Sequence, residues 1–396
     1  MNPLRPCAAW LRTWATRPRF LALAAFLFAG DLKADPRLAW FPVDLTLLAG
    51  AALSGVLALR WLRGARLRAL GGPALLGLWF LSFAPGLFQA APTDYTVQKV
   101  ATIYTFTLLA ALAPLVLVET DADLVRLMNA LAWFCLAITL GGLLGGGAAD
   151  QAVQRLQGFG GGTISLGRAT GLLFTYAAIT LAGRGPLPGL TFGLMALAGV
   201  TAMFSGSRGP ILAALAVLAL LAGTGRIGAA ASLPRLLVAA GLFLAALGGS
   251  LSMAPPGSLN RVTAFFRGQY GESETYRMNA LRDSWRLVGD APWGLGWGGF
   301  ATFVDPERGV GRQYPHNLLA EVTLEAGWLC GAVTLLVLGT AVLAAWSGSA
   351  LPGARVVFAG LVFYLINAMV SGDLNDNRPL FMFVGCALTL PRRARS

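Results

Sequence analysis

The sequence predicts an all-α, polytopic membrane protein with about twelve spanning helices and one long, partly helical external loop. Three features support this prediction: the composition, the length of the apolar runs, and the placement of lysine and arginine. Hydrophobic residues make up 56% of the chain and charged residues only 12%, and the mean hydropathy is +0.66. This composition is typical of an integral membrane protein and excludes an ordinary soluble domain.

The apolar runs approach the roughly 20 residues that a membrane-spanning helix needs. They lie near residues 18–31, 40–60, 69–88, 99–119, 123–144, 165–183, 188–204, 210–223, 234–252, 327–346, 352–371 and 378–391. The shortest runs, of about 14 residues, also fit re-entrant or merely buried segments. Strands of a β-barrel are much shorter, and lipid-exposed backbone must satisfy its own hydrogen bonds, so we expect helices throughout.

Lysine and arginine are distributed unevenly between alternate connections. One side of the membrane holds sixteen of them, namely Arg5, Arg12, Arg17, Arg19, Arg60, Arg63, Arg66, Arg68, Arg126, Arg184, Arg226, Arg235, Arg355, Arg392, Arg393 and Arg395. The other side holds fourteen, but seven of these lie in one long loop, which the positive-inside rule discounts. We therefore expect both termini in the cytoplasm and an even number of spans. The net charge of +12 then reflects topology and anionic lipid rather than nucleic-acid binding.

These patterns divide the chain into nine predicted spans over residues 1–252, an external loop over 253–315, and three spans with a cytoplasmic tail over 316–396. In a bacterial inner membrane the external side is the periplasm, so chemistry is expected in this loop. A helix is predicted from Glu272 to about Val288, followed by a glycine-rich turn. Leu281, Trp285 and Val288 share one face, which predicts packing against the membrane or the bundle.

Two arginines on the external side are candidates for binding an anion. Arg208 lies between two apolar runs and opposes the positive-inside bias, which favours a functional role. Arg277 lies on the loop helix near Arg282 and Arg286, where spacing alone favours a solvated face. Guanidinium groups suit phosphate oxygens because they present a planar pair of donors.

His316 is the only histidine, and it lies at the start of an apolar segment. Glu321 and Glu325 are not at helical spacing from it, and the four cysteines lack metal-site spacing, so neither a metal site nor a cofactor is predicted. The imidazole is then either a helix cap or surface residue, or a proton acceptor or donor of hydrogen bonds.

Several aspartates have two interpretations. The Asp121-Ala-Asp123 stretch matches the Asp-x-Asp pattern of metal-dependent sugar transferases, but its place at a predicted helix start favours capping. Asp373 and Asp376 lie at an external helix mouth, where they either contact sugar or form a turn. Asp44 is predicted to be an intramembrane carboxylate that can pair with an arginine.

Three stretches carry a combination of motifs over roughly residues 205–331. They are SGSRGP after one apolar run, YRMNALRDSWRLVGDAPWGLGWGGF in the loop, and PHNLLAEVTLEAGWLCG opening the next run. Together they resemble the bacterial superfamily of O-antigen ligases and O-antigen polymerases, which transfer lipid-linked glycans, and they are most like an O-antigen ligase.

Individual residues of the family motifs have counterparts in this sequence. The family's loop arginine, ahead of a proline and a glycine-rich turn, maps onto Arg277 and Pro292. Its His-Asn pair, followed by Glu-x-Gly, maps onto His316, Asn317, Glu325 and Gly327. A weaker Arg-x-x-Gly-Phe element maps onto Arg155, and a tryptophan usual in the loop helix is replaced by Leu281.

The resemblance implies an inverting, metal-independent glycosyltransferase. A glycan would move from undecaprenyl diphosphate to a hydroxyl of lipid A-core oligosaccharide in the periplasm. Arg208, Arg277 and Arg155 would bind the diphosphate, and His316 would deprotonate or orient the acceptor hydroxyl. Asn317, Asp373 and Asp376 are candidates for contact with the acceptor. The expected partners are this donor, this acceptor and the lipid bilayer.

The sequence is also compatible with other functions. Within the superfamily they are an O-antigen or exopolysaccharide polymerase and a protein O-oligosaccharyltransferase. A lipid-linked glycan transporter or flippase would have a similar number of helices, but transporters typically show related halves and helices broken at mid-membrane. Polar residues concentrate here in one loop and the neighbouring helix mouths, which favours an enzyme.

The topology predicts that residue 258 faces the periplasm. A cysteine introduced at Ser258 should react with a membrane-impermeant maleimide while the inner membrane is intact, because the loop carries it outside. Labelling that requires permeabilisation of the inner membrane would reverse the predicted orientation.

Overall fold

The computed structural model describes residues 14–65, 70–144, 156–159, 161–183, 188–227, 271–304 and 313–390. Every regular element within these residues is helical, so the predicted all-α class is confirmed for them. The predicted span at 234–252 and the loop segments 253–270 and 305–312 lie outside the described residues.

The α-helices of the described residues are numbered here in chain order. They are α1 (Pro18–Leu32), α2 (Leu45–Leu62), α3 (Gly71–Ser82), α4 (Pro85–Phe88), α5 (Asp94–Thr102), α6 (Leu108–Leu117), α7 (Asp121–Leu144), α8 (Gly162–Ala182), α9 (Pro188–Phe204), α10 (Arg208–Gly223), α11 (Glu272–Asp290), α12 (Gly299–Phe303), α13 (Leu318–Ala326), α14 (Trp328–Gly348), α15 (Pro352–Ala368) and α16 (Arg378–Thr389). A π-helical turn at Ile103–Thr107 joins α5 to α6, and 3₁₀ turns lie at Pro36–Leu38 and Asn375–Asn377.

Six helices among the described residues are long and apolar enough to cross a membrane. They are Leu45–Leu62, Gly71–Phe88, Asp94–Leu117, Asp121–Leu144, Gly162–Ala182 and Trp328–Gly348. The helices α9, α10 and α15 are apolar but shorter. All nine coincide with predicted apolar runs, and α1 and α16 occupy two of the shortest runs. The total of about twelve spans stays a prediction.

The chain forms two compact units. The first comprises Met1–Val56, Glu119–Gly268 and Ser349–Phe363, and the second comprises Leu57–Val118, Gln269–Gly348 and Tyr364–Ser396. Neither unit is continuous in sequence. The predicted three-part division follows membrane topology instead, and it stays a prediction.

In the first unit, the Asp-Ala-Asp stretch is structural. Thr120 Oγ1 accepts a hydrogen bond from Asp123 N (3.1 Å), and the Asp123 carboxylate accepts one from Thr120 N (3.2 Å), which forms a capping box at the start of α7. Asp121 accepts hydrogen bonds from the backbone N–H groups of Gly353 and Ala354 at the start of α15. The capping interpretation is therefore confirmed, and Asp121 caps a second helix that is distant in sequence.

Asp44, also in the first unit, precedes α2 rather than lying within it. Its carboxylate accepts a hydrogen bond from Thr46 N (2.7 Å) and pairs with Lys33 Nζ (2.8 Å). The expectation of an arginine partner is wrong, because Lys33 at the end of α1 reaches the same half-exposed carboxylate.

The second unit is built around α16, which packs against α3, α6 and α14. The rings of Trp79 and Phe381 stack there with centroids 4.6 Å apart. Trp79 Nε1 donates to Thr334 Oγ1 on α14 (2.9 Å), which satisfies a donor that is buried among apolar groups.

The predicted loop helix is confirmed as α11 and ends two residues beyond the predicted end. Its buried stripe is formed by Ala280, Ser284 and Val288, with Phe300 and Leu324 packed against it. The predicted face is only partly buried, since Trp285 is 39% exposed. Small residues at 280 and 284 therefore select which face meets α13.

Candidate active site

The glycine-rich turn after α11 folds back onto the end of α13. Leu295 N donates to Leu324 O (2.8 Å), and Gly296 N donates to Glu325 O (3.0 Å). Gly294 has a φ of +91°, and a Cβ there would lie 2.6 Å from Glu325 O. Only glycine permits both this backbone conformation and this approach. The predicted turn is thus confirmed, and it holds the C-terminal end of α13.

Asn317 caps the N-terminal end of α13. Its Oδ1 accepts from Ala320 N (2.9 Å), and its Nδ2 donates to Met369 O (2.9 Å) at the end of α15. The alternative in which His316 caps this helix is therefore wrong, because the neighbouring asparagine does so. Both polar ends of the Asn317 side chain have structural partners, and its contact with an acceptor stays a prediction.

His316 has an unusual backbone and an unusual side-chain environment. Its φ is +58°, one of two positive values among the non-glycine residues that the structure describes. The imidazole lies near the rings of Tyr314 (centroids 4.4 Å apart) and Tyr276 (6.1 Å). Its Nδ1 is buried and has no hydrogen-bond partner among the described residues. Left-handed backbone at a non-glycine residue costs free energy and clusters at functional sites.

The electrostatic environment keeps this imidazole neutral. Burial, followed by the nearby positive charge of Arg277, lowers the pKa of His316 to about 4, and Asp373 opposes this shift. Arg277 Nη1 also lies 3.5 Å from Val370 O, beyond the end of α15. Arg277 and Asp373 are therefore both close enough to His316, within the second unit, to act on its charge.

Asp373 and Asp376 form a turn. Asp373 Oδ1 accepts from Asp376 N (2.8 Å), and Asp376 Oδ2 lies 3.4 Å from Asp373 N. Asp373 is buried whereas Asp376 is exposed. The turn interpretation is confirmed for both residues, and a contact with sugar stays a prediction.

Lys99, Glu321 and Glu325 form a buried charge cluster that was not predicted from the sequence. Lys99 Nζ lies 2.6 Å from Glu321 Oε1 and 2.5 Å from Glu325 Oε2, and all three side chains are inaccessible to solvent. A lysine inside an apolar run and two glutamates four residues apart were the available signals. Neither signal indicates that this lysine pairs with these two glutamates.

The other two arginine candidates from the sequence are Arg208 and Arg155. Arg208, in the first unit, is the half-buried first residue of α10, and the preceding Ser207 donates from Oγ to Thr163 O (2.8 Å). Arg168 on α8 of the same unit is only 8% exposed and was not singled out from the sequence. Arg155 lies outside the described residues. Within the described residues, no group of three or more His, Cys, Asp or Glu side chains could hold a metal ion.

The environment of His316 predicts an unusual titration. The folded-state pKa of about 4 lies below the ordinary value of 6.5, so the neutral ring contributes stability that is lost as the pH falls from 6.5 towards 4. Nuclear magnetic resonance of isotope-labelled histidine, in protein with a histidine-free tag, should show one signal titrating near pH 4. Arg277→Gln should raise the midpoint, whereas Arg282→Gln on the exposed face of α11 should not. A wild-type midpoint near 6.5 would contradict the described environment.

Residues 193–335 match the family model for O-antigen ligase. No curated protein matches the chain. The matched segment includes Arg208, Arg277 and His316, whereas Lys99 and Asp373 lie outside it. Over this segment, which is about a third of the chain, the protein is similar to the O-antigen ligase family.

Proposed function

We propose that this protein is an inverting glycosyltransferase of the O-antigen ligase type. It transfers a glycan from undecaprenyl diphosphate to a hydroxyl of lipid A-core oligosaccharide on the periplasmic side of the inner membrane. The observation that carries the proposal is His316, which lies within the matched segment with strained backbone, a buried Nδ1 without a partner among the described residues, and Arg277 nearby. The proposed topology has both termini in the cytoplasm.

The chemistry requires one bond to form and one to break. The acceptor oxygen attacks the anomeric carbon from the face opposite the diphosphate, and the bond between that carbon and the diphosphate oxygen breaks. The electron pair stays on the lipid diphosphate, and the proton of the acceptor hydroxyl passes to His316. A neutral imidazole is suited to receive this proton, which supports the proposed base.

Arg277 would link donor binding to the basicity of His316. Its guanidinium can pair with diphosphate oxygens and stabilise the charge that develops as they depart. In the free protein the same cation lowers the pKa of His316. A bound diphosphate would offset this charge and raise the pKa, so the histidine would become a stronger base when the donor is present.

Arg208 and Arg155 are proposed as further diphosphate ligands because of their positions in the family motifs. Arg208 is in the matched segment, but Arg155 lies outside it. No metal is included in the proposal, since guanidinium groups can supply the required positive charge. Asn317, Asp373 and Asp376 remain proposed acceptor contacts.

The closest alternatives share the donor and differ in the acceptor. A polymerase would transfer the glycan to another lipid-linked repeat, and a protein O-oligosaccharyltransferase would transfer it to a protein hydroxyl. Lipopolysaccharide from a strain lacking this chain should show no capped core if the protein is the ligase. Core capped with single repeats would instead indicate a polymerase, and unchanged capping would exclude both functions.

His316→Asn tests the proposed base. Asparagine tolerates positive φ and cannot accept a proton at neutral pH, so the variant should fold and hold the donor. We expect transfer in membranes to fall by about 10²–10⁴-fold, the range for general acid–base catalysis. Expression in the membrane should match that of the wild type. Transfer close to normal would show that His316 has no catalytic role.

Arg277→Lys tests the requirement for a guanidinium. A lysine keeps the charge but lacks the planar pair of donors, so transfer should fall by about 10²-fold or more if the group acts on transition-state charge. Arg282→Lys is the matched control, because it makes the same change on the exposed side of the same helix. Equal activity of the two variants would remove Arg277 from the mechanism.

A further inference from the structure

The buried charge cluster, as defined above by Lys99, Glu321 and Glu325, connects two helices. Lys99 lies on α5, at the start of the long helix Asp94–Leu117, and both glutamates lie on α13. The two glutamates are one helical turn apart on a helix of nine residues. A single buried ammonium group therefore constrains both the position of α13 along α5 and its rotation about its own axis.

Glu325 extends this attachment to the glycine-rich turn. Its Oε1 accepts from Phe300 N (3.4 Å), and its backbone oxygen accepts from Gly296 N (3.0 Å). The other end of α13 is held by the Asn317 cap and its bond to Met369 O. His316 directly precedes this cap, so its place follows from the position of α13.

Lys99 also contacts the turn that carries Asp373. The backbone oxygen of Lys99 accepts from Asn375 Nδ2 (3.2 Å), and Asn375 Oδ1 accepts from Thr107 Oγ1 (3.1 Å). Thr107 ends the π-helical turn that follows α5. Such turns release backbone groups from the regular ladder, and they often occur at functional sites. The same residue thus holds α13 and the acidic turn near His316.

A gain in the free energy of unfolding does not by itself explain why these three charges are buried together. The desolvation of buried ions often offsets their attraction, so that apolar replacements of similar volume can be neutral or stabilising. The cluster does impose one geometry, since two carboxylates and one ammonium must meet without access to water. Its effect is then on placement more than on the free energy of unfolding.

We propose that Lys99 is a positioning residue for His316, acting through Glu321 and Glu325 on α13. The functional consequence rests on the proposed role of His316 as the base. The placement of His316 can be measured without any transfer reaction. The two ideas can therefore fail separately.

The first experiment uses the fact that His316 is the only histidine. Full-length protein with a histidine-free tag is purified in nanodiscs, with isotope-labelled histidine, for nuclear magnetic resonance. We expect Lys99→Met to change the chemical shift and the titration midpoint of the single histidine signal. Thr334→Val, which removes the buried bond to Trp79 in the same unit, should leave both unchanged.

A triple variant covers the case in which Lys99→Met does not fold. Lys99→Met, Glu321→Gln and Glu325→Gln together remove the charges while nearly keeping the volumes, so no unpaired ion is left buried. We expect this variant to fold with an altered histidine signal. A folded triple variant with the wild-type shift and midpoint would overturn the positioning role.

Kinetics distinguish positioning from general damage. In the folded variants kcat for transfer should fall by about 10²-fold, a loss typical of a misplaced catalytic group, while KM for the donor changes little. An altered histidine signal with unchanged kcat would support the placement and overturn its consequence for transfer, because a displaced base must slow the reaction. If the wild type transfers no glycan to lipid A-core, the proposed function fails, and the histidine signal still decides the placement.

Discussion

The arrangement of the second unit depends on the ion pairs of Lys99 with Glu321 and Glu325. An ammonium group with no solvent access needs compensating negative charge, because leaving it unpaired would cost several kcal/mol. This requirement connects α13 to α5 through the Lys99 side chain. The glycine-rich turn can then reach the backbone of α13, and the Asn317 cap can reach the end of α15.

The residues near His316 differ in chemistry from the surrounding helices. Those helices are apolar and carry few polar side chains. The positive charge of Arg277 and the negative charge of Asp373 both act on the imidazole, from α11 and from the turn before α16 respectively. Tyrosine rings lie beside it. A half-buried base with charges of both signs nearby is suited to respond to an arriving anion.

The strained backbone at His316 fits this account. Its φ of +58° is unfavourable for a side chain with a Cβ, and it persists because the cap that follows is held on two sides. Gly294, by contrast, relieves a comparable constraint by having no side chain. The chain therefore uses glycine where only backbone approach is needed and keeps a strained residue where an imidazole is present.

Features governed by local chemistry were determined by the sequence. The helical class follows from the length of the apolar runs, the loop helix from its periodicity and breaker, and the capping box at Asp123 from adjacent residues. The family motifs likewise identify Arg277 and His316 as candidates without reference to their surroundings in the fold.

Only the tertiary structure decided which distant groups meet. Lys99 and Glu325 are 226 residues apart in the chain, and Asp121 reaches α15 across 232 residues. It also decided that Asn317 rather than His316 caps α13, because the choice between two adjacent polar residues depends on backbone angles set by contacts with α15. Sequence spacing indicates which residues a side chain can contact within its own helix. The pairing of buried charges is set by how separate helices pack, since each ion must be matched wherever packing excludes water.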